Sequence, residues 1–231
     1  MIFEMPKSCD DARVWRILVP IQKEFRLRSV QLAPNNFGST YEHELAFDDE
    51  MWASRLRNPL ATTFVAVSAD CDTNASRKSS SPSSLESALC WEWIGRLILM
   101  GPKNEGSIHP TGSRSPWTGM ANSHEAETEA SGKVLHFHVN GMFVDPSRRG
   151  AGIGIALLAR ALTWGDAFAK RSGSDHVRYT MVVDQVNVPA VRIYERAGFQ
   201  TYASETAITK RKENGGKSEV ILTERRDRVS V

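Results

Sequence analysis

The sequence predicts an α/β domain, and two features of the chain carry that prediction. The first is the order of strand, tight loop and helix over residues 142–158, where an apolar run ends at Asp145-Pro146 and three glycines lead into an Ile/Ala/Leu segment. The second is the alternation of strand-like and helix-like segments along most of the chain. A length of 231 residues suffices for one core, so we expect a single domain over residues 1–231.

Composition excludes several functional classes. A net charge of +2 is too small to indicate a nucleic-acid or membrane partner, and no apolar run approaches the roughly 20 residues that span a bilayer. The N-terminus lacks the basic start and long apolar core of a signal peptide. Cys9, Cys71 and Cys90 are odd in number and far apart, which favours a reducing compartment. We therefore expect a cytoplasmic or nuclear protein that is not secreted, without nucleic-acid, membrane or metal partners.

The first 67 residues predict strands and helices in alternation. Residues 13–19 alternate like a strand, and Pro20 suits the first turn of a helix that carries Ile21, Phe25 and Leu32. A capping-box pattern, Ser39 followed by Glu42, predicts a short helix over 40–46. A further helix should begin at Asp48 or Asp49, and the β-branched run 61–67 predicts a strand.

The remaining elements are separated by two polar stretches. Residues 70–87 and 103–131 are rich in Ser, Gly, Pro and charged residues, so we expect flexible insertions there. Gly141 inside a strand predicts a bulge. The predicted elements are strands over 90–100, 133–144 and 176–184, helices from the glycine loop to Arg171 and from Asn187 to Gly198, and a terminal hairpin of 199–209 with 219–224.

The glycine loop is a candidate anion site. The first-turn amides of a helix have no intrahelical partner and point outward at the positive end of the helix dipole, where a phosphate fits. Arg148 and Arg149 add positive charge beside it. The spacing of Gly150, Gly152 and Gly154 matches neither the phosphate loop of NTPases nor the dinucleotide fingerprint. A plain strand-to-helix turn is the alternative interpretation.

Two motifs resemble one known family. Arg149-x-x-Gly152-x-Gly154, preceded by Val144-Asp145-Pro146, is similar to motif A of the GCN5-related N-acetyltransferases (GNAT family). Asn187-x-x-Ala190-x-x-x-Tyr194-x-x-x-Gly198-Phe199 is similar to the second signature of that family, and the space between the motifs accommodates one helix and one strand. The resemblance covers about 133–200, is looser over 20–67 and fails over the two polar insertions.

The resemblance implies a GNAT-like α/β fold with a mixed, mostly antiparallel sheet and helices on both faces. It also implies acetyl-CoA as co-substrate, entering where two neighbouring strands splay apart after Gly141. The loop that would hold the diphosphate consists of Arg149, Gly150, Ala151, Gly152, Ile153 and Gly154. Backbone groups of Met142, Phe143 and Val144 would pair with the pantetheine arm, as an added strand would. Asn187 would contact the pantetheine, cap its helix, or do both.

Acetyl transfer to an amine requires a base, oxyanion stabilisation and an acid for the departing thiolate. Tyr194 is the predicted acid, since a phenol pKa of about 10 is close to the value of about 8.5 for a thiol; a core tyrosine is the alternative. His138 stands where some family members have a base Glu, although a strand histidine is more often structural. Glu42 and Glu44 could bind a cationic amine, act as base or simply face solvent. A chain of water molecules could also accept the proton, in which case no side chain acts as base.

The sequence thus predicts an acetyl-CoA-dependent N-acetyltransferase that acetylates a primary amine of a small molecule. A protein or peptide N-acetyltransferase is the near alternative. A CoA-binding module without turnover is the alternative from another class, and Tyr194 favours the enzyme over it. The sequence determines neither the acceptor nor the oligomeric state.

Overall fold

A computed structural model describes residues 1–8, 11–68, 91–104, 134–208 and 217–229. Its helices are α1 (Ala12–Leu32), α2 (Tyr41–Leu45), α3 (Asp49–Arg57), α4 (Ile153–Arg171) and α5 (Val188–Arg196). Its strands are β1 (Ile2–Glu4), β2 (Ala61–Val67), β3 (Trp93–Asn104), β4 (Val134–Val144), β5 (His176–Asp184), β6 (Gln200–Ile208) and β7 (Lys217–Arg228).

The seven strands form one sheet in the order β1-β2-β3-β4-β5-β7-β6. Within the described residues β4 and β5 pair in parallel and the other neighbours pair antiparallel. Strand β2 shows that both faces are covered: Phe64 and Ala66 join the core formed with α4, whereas Val65 and Val67 join a second core formed with α1. The predicted fold class, a mixed and mostly antiparallel sheet with helices on both faces, is confirmed.

The prediction of a strand over residues 13–19 is wrong, because these residues form the start of α1. The buried positions Val14, Leu18, Gln22 and Phe25 follow each other at intervals of three or four residues, which is the period of a helix. Pro20 lies on the exposed side of this helix. The strand that opens the sheet is instead Ile2–Glu4, which pairs with β2.

The other predicted elements agree with the structure within a few residues. Helix α2 is capped by Thr40, whose hydroxyl accepts from the His43 amide at 3.3 Å, rather than by the predicted Ser39–Glu42 pair. Strand β3 continues through Asn104, so the insertion predicted for 103–131 begins later than expected. Residues 70–87 and the rest of that second insertion lie outside the described residues.

A bulge at Gly141 changes which face of the sheet β4 presents. Two residues, Gly141 and Met142, stand opposite the single residue Leu97 of β3, and Gly141 has a φ of +58° that favours glycine. The bulge reverses the alternation of side chains. Val139 therefore packs in the α4 core, while Phe143 packs in the α1 core.

Gly165 lets α4 lie against Tyr179 of β5. A Cβ at this position would lie 2.5 Å from the Tyr179 hydroxyl, which donates to Asp166 Oδ1 at 2.6 Å and to the Leu162 carbonyl at 2.9 Å. We expect Gly165→Ala to lower the free energy of unfolding by about 1–3 kcal/mol, because overpacking outweighs the gain in helix propensity. Urea unfolding of both proteins measures this, and an unchanged or raised stability would show that the buried ring can shift.

Candidate active site

The sheet splits between β4 and β5. The two strands pair over Val134–His138 and His176–Thr180, and beyond these residues β4 remains paired with β3 while β5 remains paired with β7. A cavity of about 500 Å³ opens at the split. The lining on the side of β4, β5 and α5 consists of Val139, Asn140, Gly141, Met142, Val182, Val183, Asp184, Asn187, Ala190 and Tyr194, and the rest of the lining includes Gln22, Arg26, Phe37, Arg55, Thr63, Arg96, Ile98 and Met100.

The glycine loop connects the end of β4 to α4. Gly152 is the N-cap of α4 with a φ of +75°, and no side chain among the described residues caps this helix end. The amides of Ile153 and Gly154, in the first helical turn, therefore lack an intrahelical partner. Arg149 anchors the loop, since its Nε donates to the Val144 carbonyl at 3.1 Å.

Gly150 and Ala151, which the sequence also predicted to belong to the loop, directly precede the N-cap of α4. Gly150 has a φ of +84°, and it and Ala151 are exposed at the outer surface of the loop. Among the strand residues predicted to meet the pantetheine, Met142 lines the cavity and Phe143 packs against Phe25 with ring centroids 5.8 Å apart. The cavity therefore reaches along β4 as far as Met142, and the glycine loop follows the end of the same strand.

Helix α5 brings Asn187 and Tyr194 to the cavity wall. The Asn187 side chain caps the helix by accepting from the Ala190 amide at 3.4 Å, so this residue has the capping role that the sequence left open. Tyr194 is 7% exposed, and its hydroxyl makes no hydrogen bond to any described residue. Burial raises its pKa above the usual value of 10.0, which keeps the phenol protonated.

His138, the predicted base, lies away from the cavity wall. It is 3% exposed, and its Nδ1 lies 3.0 Å from Thr180 Oγ1, the same oxygen that lies 2.8 Å from Nε2 of His136. It belongs to the stretch where β4 and β5 still pair, before the strands separate. Burial lowers the pKa of His138 to about 3, so its imidazole would hold an abstracted proton poorly.

The two glutamates predicted to bind the acceptor also lie off the cavity wall. Glu42 is exposed. Glu44 is 1% exposed and forms a paired contact with Arg26, whose Nε and Nη2 donate at 2.9 and 2.6 Å, and a contact with Arg55 Nη1 at 3.2 Å. Burial would raise the pKa of the Glu44 carboxyl, but Arg26 and Arg55 outweigh it and lower that pKa to about 2. Glu44 therefore holds two arginines in place and is not available to an amine.

Glu44 should consequently be important for stability. We expect Glu44→Gln to lower the free energy of unfolding by about 3–5 kcal/mol at neutral pH, because it leaves the partly buried Arg26 and Arg55 without the buried carboxylate that pairs with them. Because the folded-state pKa is depressed, this stabilisation is present above the ordinary value of 4.5 and is lost as the pH falls towards about 2.

Denaturant unfolding of Glu44→Gln at several pH values checks this expectation. Glu42→Gln, on the exposed side of the same helix, is the matched control and should change stability by no more than about 0.5 kcal/mol. Equal losses in the two variants would show that the ion pairs around Glu44 are not what stabilises this region.

The arginines of the cavity were not predicted from the sequence. Arg26, Arg55 and Arg96 line the wall opposite Tyr194. Arg96 is 3% exposed, and a single arginine within the apolar run of β3 was a usable signal for it. Arg26 and Arg55 lie on helices among other charged residues, so their sequence contexts carried no comparable signal.

Comparison with solved structures shows that the fold of this chain is shared. Two structures of NAA60 from Arabidopsis thaliana, one with a bisubstrate analogue and one with acetyl-CoA, share the fold with TM-scores of 0.53 and 0.52, at 14% identity. The alignments cover 98% and 97% of this chain and 99% and 98% of those chains. The mixed, mostly antiparallel α/β architecture is therefore common to these proteins.

The sequence comparisons match part of the chain. Residues 118–201 match the model described as "Acetyltransferase (GNAT) domain", which confirms the GNAT resemblance over that segment. Mycothiol acetyltransferases of Mycobacterium avium (strain 104) and of Mycolicibacterium paratuberculosis (strain ATCC BAA-968 / K-10) are each 33% identical over 35% of this chain. The chain matches only 30% of the length of these relatives.

Two searches of the described residues were negative. No group of three or more His, Cys, Asp or Glu side chains in those ranges is arranged to hold a metal ion. No helix in the described part of the chain is both long and apolar enough to cross a membrane.

Proposed function

We propose that this protein is an acetyl-CoA-dependent N-acetyltransferase acting on a primary amine of a small molecule. The observation that carries the proposal is the cavity at the split of the sheet, which has Tyr194 on its wall. The glycine loop and the uncapped end of α4 lie at the end of the same strand, β4.

The residues present fit acetyl-CoA. The open edge of β4 beyond His138 offers backbone groups to the pantetheine amides, and the first turn of α4 offers amides to the diphosphate. When bound, acetyl-CoA supplies an acetyl group activated as a thioester. The residues proposed to hold it are Met142, Phe143, Val144, Arg149, Gly150, Ala151, Gly152, Ile153, Gly154 and Asn187.

The proposed role of Tyr194 is to give its hydroxyl proton to the departing sulfur. The phenol suits this role because it borders the cavity and has no competing hydrogen bond to a described residue; burial raises its pKa, which keeps it protonated but also makes it a weaker acid than an exposed phenol. A protonated acid in the cavity also supports an enzyme over a CoA-binding module without turnover.

The amine must lose a proton before it attacks, and neither His138 nor Glu44 is placed to take it. Arg26, Arg55 and Arg96 surround the acceptor side, and their positive charges lower the pKa of a bound ammonium group. We therefore propose that the amine loses its proton to water in a site that favours the neutral form.

The size of the cavity supports a small acceptor. A volume of about 500 Å³ lies within the range of roughly 300–1,000 Å³ that is typical of small-molecule sites, and the pantetheine arm would take part of it, which favours a small acceptor. Helices α1 and α3 contribute Gln22, Arg26 and Arg55 to the lining, so these two helices bound the space next to the split in the sheet.

Calorimetric titration with acetyl-CoA, followed by a thiol-release assay with small amines and with short peptides, tests the proposal. We expect acetyl-CoA to bind and free thiol to appear with small amines. Absence of binding would contradict the cofactor assignment. Binding with turnover of peptides alone would identify a peptide acetyltransferase, and binding without any turnover would identify a non-catalytic module.

A further inference from the structure

The acceptor side of the cavity carries more positive than negative charge. Arg26, Arg55 and Arg96 line it, and Glu44 behind them is the carboxylate that contacts Arg26 and Arg55. Asp184 also lines the cavity, but it stands at the end of β5 on the cofactor side, where its Oδ1 accepts from the Val186 amide at 3.2 Å. Three arginines are thus set against two carboxylates, Glu44 and Asp184, which leaves one positive charge in excess around the space that an acceptor would enter.

Arg96 differs from the other two arginines because Glu44 does not occupy its donors. Its guanidinium makes no hydrogen bond or ion pair to any described residue, and its Nε is fully buried without a partner. Its Nη2 lies 3.8 Å from where a Cβ at Gly141 would be, so the group stands beside the bulge where the sheet opens. Burial is the main cause that lowers the pKa of Arg96 to about 9, which leaves it charged at neutral pH.

A buried charge without a hydrogen-bond partner is unfavourable, and an anionic ligand would remove that cost. A guanidinium presents parallel N–H donors that match the two oxygens of one carboxylate. The donors of Arg26 and Arg55 that contact Glu44 are already engaged. One available guanidinium fits one carboxylate better than a phosphate, which would draw on several cations.

A second unpartnered group on the same wall completes the pattern. The Gln22 side chain is 4% exposed and lines the cavity, and its Oε1 is buried without a donor. An amine N–H is a complementary donor for this oxygen. The wall therefore carries a guanidinium, that of Arg96, and an amide oxygen, that of Gln22, without hydrogen-bond partners among the described residues.

We propose that the acceptor is a small amine that also bears a carboxylate, and that Arg96 binds this carboxylate. The inference rests on the proposed function, because it names the substrate class of the same cavity. It explains why the wall is cationic although an amine is the nucleophile: the charge attracts the acid group and disfavours the ammonium form of the amine.

The test compares acids with their neutral counterparts. The probes are the L-amino acids and β-alanine, each beside its carboxamide, with thiol release measured in the presence of acetyl-CoA. Calorimetry of the CoA-loaded protein with the N-acetylated acids and N-acetylated amides gives a readout that does not depend on turnover. We expect the preferred acid to exceed its amide by roughly 10- to 100-fold in kcat/KM and in affinity, as for loss of a charged hydrogen-bonded pair.

Three variants assign the effect to Arg96. Arg96→Met should bring the preferred acid down to the level of its amide, whereas Arg96→Lys should keep part of the preference because it retains the charge without the fork. Arg160→Met, on the exposed side of α4, is the matched control and should leave the preference unchanged. Thermal unfolding shows whether each variant folds. If a variant does not fold, the comparison of acids with amides in the unaltered protein still decides whether the acceptor bears a carboxylate.

The two proposals fail in different ways. If the unaltered protein does not bind acetyl-CoA, the proposed function is contradicted. Three results would overturn the carboxylate assignment alone, provided that acetyl-CoA binds. Acids and amides could be used equally well, amides could be preferred, or no acid could be bound or acetylated. An acid preference that survives in Arg96→Met would overturn the role of Arg96.

Discussion

Replacing Tyr194 with phenylalanine should lower kcat by roughly 10²- to 10⁴-fold, the range typical of general acid catalysis, with little change in KM for acetyl-CoA. The ring packs against Phe199 with centroids 6.1 Å apart, and Tyr194→Phe keeps this packing while it removes the proton donor. Because burial raises the pKa of Tyr194, its deprotonation should not limit the rate below about pH 10. Steady-state kinetics over a pH series, with the preferred amine, measures both effects.

Tyr179→Phe provides the contrast for that experiment. The Tyr179 hydroxyl donates to Asp166 and to the Leu162 carbonyl in the core and is absent from the cavity wall. Its loss should reduce stability by about 1–3 kcal/mol and leave kcat near normal in the folded protein. If Tyr194→Phe shows this same pattern, its hydroxyl is structural and water is the acid.

Gly152→Asp should weaken acetyl-CoA binding by roughly 100-fold or more. A carboxylate at the N-cap of α4 would occupy the amides that the diphosphate needs and would repel its charge, an effect of a few kcal/mol near a protein surface. Calorimetric titration of both proteins with acetyl-CoA gives the ratio of affinities.

Two further variants separate charge from backbone strain. Gly152→Asn has nearly the shape of the aspartate without its charge, and it should bind acetyl-CoA better than Gly152→Asp does. Gly173→Asp places the same residue at a φ of +69° just beyond the opposite end of α4, and it should bind normally. Unchanged affinity in Gly152→Asp would remove the glycine loop from the proposed cofactor site.

The sequence by itself determined the elements that depend on neighbouring residues. The glycine spacing at 150–154, the Asn187 cap and the β-branched run of β2 predicted a loop, a helix start and a strand that the structure contains. The bulge at Gly141 was predictable for the same reason, since a glycine within a strand often marks a bulge in the backbone. These features are encoded within a few residues and need no knowledge of distant partners.

The tertiary structure decided which polar side chains reach the cavity. Residues 13–19 have a pattern compatible with a strand, but Val14 and Leu18 pack in the second core as one face of α1. His138 and Glu44 had residue types that suited catalysis, yet the first is buried beside Thr180 and the second is paired with two arginines. Burial and charge pairing depend on residues far apart in the chain, so the sequence could single out Arg96 within an apolar strand but could not show that it stands at the split in the sheet without a partner among the described residues.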